Sequence, residues 1–82
     1  MNFLFTFETI SAALDCEFFF KGLKTACTVI PVPRKLESSC TYAIVAQADD
    51  ISGLCAALRE KGAVYKKVFR CAGTNFEEIT YQ

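Results

Sequence analysis

Four segments of the chain have the short apolar, β-branched or alternating pattern that is typical of β-strands. The first, Asn2–Phe7, alternates phenylalanines with Leu4 and Thr6, and aromatic residues are enriched in strands. The other three predicted strands cover residues 26–32, 40–47 and 63–69. Pro31 and Pro33 lack the backbone N–H that a paired strand donates, so we expect the second strand at an edge of the sheet.

The residues from 10 to about 24 instead repeat their apolar side chains with the 3.6-residue period of an α-helix. Thr9 precedes this segment and is a favourable N-cap. Glu17 and Lys21 lie together on the polar side in the stabilising i,i+4 order, and the apolar side is expected to pack on the sheet. Phe18 projects away from the apolar centre, where it marks either a contact surface or the flank of the helix.

A second helix is predicted between a capping aspartate, Asp49 or Asp50, and a terminating glycine, Gly62. Its last turn is basic, which complements the negative end of the helix dipole. The apolar positions follow the spacing i, i+3, i+4, i+7 and are Ile51, Leu54, Cys55 and Leu58. This spacing predicts a helix with one side facing the core.

The elements follow one another as strand, helix, strand, strand, helix, strand, which predicts an α+β fold. The expected architecture is a ferredoxin-like βαββαβ sandwich with an antiparallel four-stranded sheet and both helices on one face. The 82 residues, 52% of them hydrophobic, suffice for one core and not for two, so residues 1–70 form a single predicted domain. The tail, residues 71–82, has mixed signals and could add a short strand, pack on a partner or be loosely ordered.

Charge and composition argue against several classes of function. Nine basic and nine acidic residues give a net charge of zero, so the positive field expected of a nucleic-acid-binding protein is missing. The chain has no histidine, which excludes imidazole-based catalysis and Cys₂His₂ zinc sites. The amino end is too short for a signal peptide or membrane span and has no basic segment before its apolar residues, which favours a cytoplasmic protein without membrane attachment.

The cysteines form an odd set, so a disulfide framework would leave one thiol unpaired. They are Cys16, Cys27, Cys40, Cys55 and Cys71. None belongs to a Cys-x-x-Cys pair, so we expect no metal site and no cofactor. Cys16 and Cys55 lie on the apolar sides of the two predicted helices, where both thiols are expected to be buried packing groups.

The connection between the second and third strands holds the residues with the clearest chemistry. After a turn that is stiffened by prolines, the connection contains Arg34, Lys35, Ser38, Ser39 and Cys40. Nearby cations lower the pKa of a thiol from about 8.5 towards neutrality, and the thiolate is the nucleophile. Cys40 is therefore the candidate reactive residue. The two cations and two hydroxyls near it are the candidate substrate-binding groups. The alternative is that Cys40 opens a strand as a small apolar residue.

The segment Ile30-Pro31-Val32-Pro33-Arg34, followed by Ser38-Ser39-Cys40, resembles a motif of a small bacterial family described as putative selenium or sulfur carrier protein-like. The resemblance covers about residues 3–69. It implies that Cys40 holds sulfur or selenium as a persulfide or selenosulfide, with Arg34, Ser38 and Ser39 at the supporting positions. Family members often have glycine after this cysteine, whereas this chain has Thr41.

The resemblance also implies partner proteins that donate sulfur or selenium and others that accept it; a homodimer is left open. Such a chain is a thiol-based carrier rather than an enzyme that turns over a substrate. Two alternatives remain. Ferredoxin-like domains also serve as regulatory modules that bind small metabolites, and Arg34 would then hold a ligand carboxylate. A thiol redox sensor is disfavoured, because no second cysteine lies near Cys40 in the sequence.

Overall fold

The computed structural model describes residues 1–33, 41–62, 65–73 and 75–79. This part of the chain contains five strands and two helices. They are β1 (Asn2–Phe7), α1 (Ile10–Gly22), β2 (Cys27–Pro31), β3 (Tyr42–Gln47), α2 (Ile51–Lys61), β4 (Val68–Ala72) and β5 (Asn75–Ile79). The first four strands and both helices follow the predicted order, and β1 has the predicted bounds.

The five strands form one antiparallel sheet in the order β2-β3-β1-β4-β5. The predicted α+β class is confirmed, but the predicted number of four strands is wrong, because β5 adds a fifth beside β4. The two strands are joined through Gly73, whose φ of 62° is a conformation that glycine adopts without a steric penalty. The predicted edge position of the second strand is confirmed, since β2 pairs with β3 alone among the described strands.

The fourth strand begins later than the predicted segment, residues 63–69. It starts at Val68, and the chain bends at Lys66. The buried hydroxyl of Thr6 in β1 accepts a hydrogen bond from the backbone N–H of Lys67 at 3.1 Å and donates one to the carbonyl of the same residue at 3.4 Å. A side chain of β1 therefore holds the residues before β4, and this contact cannot be read from the local pattern.

The main core lies between the sheet and the two helices. Its buried members are Phe3, Phe5, Phe7, Ala13, Cys16, Phe20, Ile44, Ala46, Leu54, Cys55, Leu58 and Val68. Phe5 is fully buried, and its ring centroid lies 5.5 Å from that of Phe20 and 5.3 Å from that of Tyr65, the latter edge to face. Buried residues of both helices thus share one cluster with the alternate residues of β1.

Polar side chains mark the helix ends as the sequence predicts. Thr9 caps α1 by accepting a hydrogen bond from the N–H of Ala12 at 3.2 Å. Asp50, not its neighbour, caps α2, and its carboxylate accepts hydrogen bonds from the hydroxyl and the N–H of Ser52. Those bonds hold the pKa of Asp50 below its ordinary value. Gly62 ends α2 in the left-handed conformation, with φ 79°.

Candidate functional site

One end of the sheet brings together the ends of three strands and the start of α1. Phe7 at the end of β1 pairs with Tyr42 at the start of β3, and Tyr42 also pairs with Pro31 at the end of β2. Thr9, the N-cap of α1, follows β1 closely in the chain. The connection between β2 and β3 therefore leaves and re-enters the sheet at this end, near the first turn of α1.

All the residues that the sequence predicts as the site belong to that connection and lie outside the described residues. They are Arg34, Lys35, Ser38, Ser39 and Cys40. The structure describes the chain on both sides of them, up to residue 33 and again from residue 41. It therefore gives the position of the two ends of the segment, and the roles of its five residues stay predictions.

Thr41, the residue after Cys40, is held by three hydrogen bonds. Its N–H donates to the carbonyl of Phe7 at 3.1 Å, and its carbonyl accepts from the N–H of Val32 at 3.3 Å. Its hydroxyl donates to the carbonyl of Glu8, also at 3.3 Å. The third bond ties the chain next to Cys40 to the turn between β1 and α1, and a glycine at this position could not make it.

A cavity of about 370 Å³ opens beside the same turn. It is lined by Glu8, Thr9, Ala12, Tyr65 and Lys66. The carboxylate of Glu8 and the ammonium of Lys66 lie 3.2 Å apart. The volume falls at the lower end of the range for small-molecule sites, about 300–1,000 Å³. The backbone of Glu8 also accepts the hydrogen bond from Thr41, so the cavity and Thr41 both contact Glu8.

Sequence reasoning missed these cavity residues. Lys66 and Tyr65 lie in the segment that was predicted as a strand, and Glu8 lies in a turn with no recognisable motif. Their neighbourhood is created by the pairing of β1 with β4 and by the contact between the rings of Tyr65 and Phe5. These are long-range contacts, so no local signal in the sequence could have found them.

The predicted burial of Cys16 and Cys55 is confirmed, since each is 1% exposed. Burial raises the pKa of Cys16 to about 12, and the nearby thiol of Cys27 adds to the shift, while the ammonium of Lys61 opposes it. Burial also raises the pKa of Cys55, although a hydrogen bond between its thiol and the Tyr65 hydroxyl lowers it. Neither thiol supplies a useful fraction of thiolate at neutral pH.

Cys27 and Cys71 are partly buried, and both are free thiols. Burial raises the pKa of both side chains, and the carboxylate of Glu17 raises that of Cys27 further. The four described cysteines are therefore mainly protonated at pH 7. Cys16 and Cys55 are thus packing thiols of the core, and Cys40 lies outside the described residues.

We expect the stabilising effect of Cys16 to disappear at alkaline pH. Its folded-state pKa of about 12 lies above the ordinary value of 9.0, so the unfolded chain loses the thiol proton first, and stability falls as pH rises above 9. Cys16→Ala should cost about 1 kcal/mol at pH 7, and this difference should shrink by about 1.4 kcal/mol per pH unit above pH 9.

Urea unfolding of the wild type and Cys16→Ala at pH 7, 9 and 10, under reducing conditions, measures this difference. Val68→Ala is the matched control, because it truncates another buried side chain that does not titrate. Its cost should stay the same across the series. A constant difference between wild type and Cys16→Ala would show that the thiol is not held protonated by the fold.

The described residues contain no group of three or more Cys, Asp or Glu side chains that could hold a metal ion. Within the same residues, no helix is both long and apolar enough to cross a membrane. At this end of the sheet the described residues supply an ion pair, Glu8 and Lys66, and the phenol ring of Tyr65.

Comparison with known protein families matches residues 2–70 to the family described as "Putative Se/S carrier protein-like". No curated protein and no solved structure matches the chain. The family match spans most of the 82 residues and includes the whole connection between β2 and β3. It confirms the resemblance predicted from the Pro-Val-Pro-Arg and Ser-Ser-Cys elements, and the chain belongs to the Se/S carrier protein-like family.

Proposed function

We propose that this protein carries sulfur or selenium on Cys40, as a persulfide or selenosulfide, between a donor and an acceptor protein. The family match over residues 2–70 is the observation that carries the proposal. The metabolite-binding alternative has no such support, and the match does not favour it. Arg34, Lys35, Ser38 and Ser39 are the proposed activating and binding groups around the thiol.

In the proposed transfer, the thiolate of Cys40 attacks the outer sulfur of a donor persulfide. A new S–S bond forms at Cys40 while the donor's S–S bond breaks, and the donor cysteine leaves as a thiolate with the electron pair. The transferred sulfur keeps its oxidation state, so no external oxidant or reductant takes part. An acceptor thiolate then attacks the outer sulfur and restores the Cys40 thiolate, and a selenium atom transfers in the same way.

Activation of Cys40 must come from charge and hydrogen bonding, because the chain has no histidine to act as a base. Arg34 is the more dependable cation, since a guanidinium remains charged at all relevant pH values. The high pKa values of the four described thiols support the choice of Cys40, because they leave it without a competitor of similar reactivity. These four cysteines are free thiols, which is typical of proteins in a reducing cytoplasm, where we propose that the protein acts.

We also propose that residues 1–70 form a ferredoxin-like core to which β5 is added. The order β2-β3-β1-β4, with every neighbouring pair antiparallel, supports this assignment. In this arrangement the connection that contains Cys40 begins after the edge strand β2 and ends before β3, whose paired residues Pro31 and Tyr42 lie at one end of the sheet.

The test is intact mass spectrometry under non-reducing conditions after incubation with a low-molecular-weight persulfide. Wild-type protein should gain the mass of one sulfur atom, and a reducing agent should remove it. Cys40→Ser should gain none, whereas Cys71→Ser, which removes a partly buried thiol, should behave as wild type. Equal sulfur loading of Cys40→Ser and wild type would overturn the assignment.

A further inference from the structure

The cavity beside the turn between β1 and α1 contains two opposite charges that lie side by side. The carboxylate of Glu8 and the ammonium of Lys66 are 3.2 Å apart, and both residues line the cavity. Their side chains are 63% and 38% exposed, so a molecule in solution can reach both charged groups. The cavity therefore presents a negative and a positive group to the same ligand.

One wall of the cavity, Tyr65 and Lys66, is held in place by contacts with other elements. The backbone N–H of Lys66 donates a hydrogen bond to the carbonyl of Thr6 in β1 at 2.8 Å. The ring of Tyr65 packs edge to face on the ring of Phe5, and its hydroxyl forms a hydrogen bond with the buried thiol of Cys55. This wall is therefore formed before any ligand binds, as is usual for small-molecule sites.

A ligand with a single charge does not suit this lining. An anion beside Lys66 would also lie near the carboxylate of Glu8, and a cation beside Glu8 would lie near the ammonium of Lys66, so attraction and repulsion would largely cancel. A zwitterion avoids this conflict if its two charges are close together. An α-amino acid meets this condition, because its ammonium and its carboxylate are attached to the same carbon atom. Such a ligand can bind both side chains while their ion pair stays intact.

We propose that this cavity binds a free α-amino acid with a small apolar or thioether side chain. The ammonium of the ligand contacts Glu8, and its carboxylate contacts Lys66 near the first turn of α1, which borders the cavity through Thr9 and Ala12. The positive end of the helix dipole favours a carboxylate there. The side chain of the ligand packs on Ala12 and Tyr65, and a thioether sulfur makes favourable contacts with an aromatic ring.

This site is separate from the proposed sulfur carriage on Cys40. In the metabolite-binding alternative, Arg34 holds the ligand carboxylate and Cys40 has no chemical role. Here Lys66 holds the carboxylate instead, and the proposed role of Cys40 is unchanged. The cavity volume of about 370 Å³ lies near the lower limit for small-molecule sites, which suits a ligand of amino-acid size.

Titration with L-methionine, followed by two-dimensional NMR of the backbone amides, tests the proposal with a ligand that does not react with thiols. We expect a Kd of about 1 mM, because both charges of the ion pair are exposed to water, and we expect the amide signals of Glu8, Thr9 and Lys66 to shift. N-acetylmethionine lacks the ammonium charge, and methionine methyl ester lacks the carboxylate charge. Each analogue should bind at least about tenfold more weakly than methionine.

Glu8→Gln should weaken methionine binding at least about tenfold, because a neutral amide replaces the anion that holds the ammonium. Glu78→Gln is the matched control, since it removes the carboxylate of another exposed ion pair, Lys67–Glu78, and Glu78 lies outside the cavity. It should bind methionine as wild type does. The proposal is overturned if no saturable shifts appear up to about 20 mM methionine, if either analogue binds as tightly as methionine, or if the two variants bind equally well. The titration does not measure sulfur transfer, so none of these results bears on Cys40.

Discussion

At pH 7, Cys40 is expected to react with iodoacetamide at least about 100-fold faster than Cys16. Even with an ordinary pKa near 8.5, about 3% of Cys40 would be thiolate at this pH. Cys16, with a pKa of about 12, is ionised to only about one part in 100,000. The Cys16 thiolate is roughly 30-fold more nucleophilic because of its higher pKa, which recovers part of the difference. Its 1% exposure then keeps the reagent away.

The same experiment measures the activation of Cys40. If Arg34 and Lys35 lower its pKa by about one unit, the thiolate fraction at pH 7 rises about eightfold, while the nucleophilicity of each thiolate falls about threefold. Arg34→Gln removes one of the two cations and should therefore slow the alkylation of Cys40 by up to about threefold at pH 7 and move its titration midpoint upward.

Site-resolved peptide mass spectrometry over a pH series gives both the rates and the midpoints. Cys27 and Cys71 are the internal comparison, because they are partly buried thiols with raised pKa values. Both should react more slowly than Cys40. If Cys40 titrates at 8.5 or above and ignores the substitutions at Arg34 and Lys35, the two cations do not activate it. If Cys71 reacts faster, Cys40 is not the most reactive thiol.

The parts of the fold that the sequence predicts well are those that depend on neighbouring residues. β1 follows from alternation, and α2 from its apolar spacing and from the two groups that end it, Asp50 and Gly62. β5 lies in the tail, for which the sequence analysis left a short strand open as one of three alternatives, although a local signal for it exists. Gly73 stands at the point where the chain reverses between two strands, and a glycine at this position is typical of a hairpin turn.

The start of β4 could not be predicted in this way. The alternating residues before it suggest a strand, but the hydroxyl of Thr6 binds the backbone of Lys67, and the ring of Tyr65 packs on Phe5. Each contact joins residues that are far apart in the chain. The same contacts create the cavity between Glu8 and Lys66. A wrong prediction of where β4 begins therefore also prevents the prediction of the cavity.

The candidate site, unlike the start of β4, is predicted from residues that are close together in the chain. Its chemistry is local, because one thiol, two cations and two hydroxyls lie within seven consecutive residues of the chain, 34–40. The sequence therefore predicts it without any knowledge of the fold, and the family match spans these residues. What the structure adds is the surroundings of that segment: the edge strand β2 before it, Thr41 bound to Glu8 after it, and a cavity beside that turn.

The largest loss of stability is expected from Phe5→Ala. Phe5 is fully buried in β1, which lies between β3 and β4, and its ring contacts the rings of Phe20 in α1 and Tyr65 at the cavity. Removing a buried phenylalanine ring costs about 3–5 kcal/mol, because apolar surface is lost and a hollow remains. A chain of this size has a total free energy of unfolding of roughly 4–12 kcal/mol. The variant should therefore lose at least about a quarter of the wild-type free energy of unfolding, and all of it if the wild type lies at the low end of this range.

Phe18→Ala is the matched control for this substitution, since it removes the same ring from a position that is 81% exposed. It should change the free energy of unfolding by no more than about 0.5 kcal/mol. Urea unfolding followed by circular dichroism measures both variants. A loss below about 1 kcal/mol for Phe5→Ala would mean that the core can close around the missing ring. The large expected loss would instead show that the core does not close around the missing ring, which contacts α1 through Phe20 and the cavity wall through Tyr65.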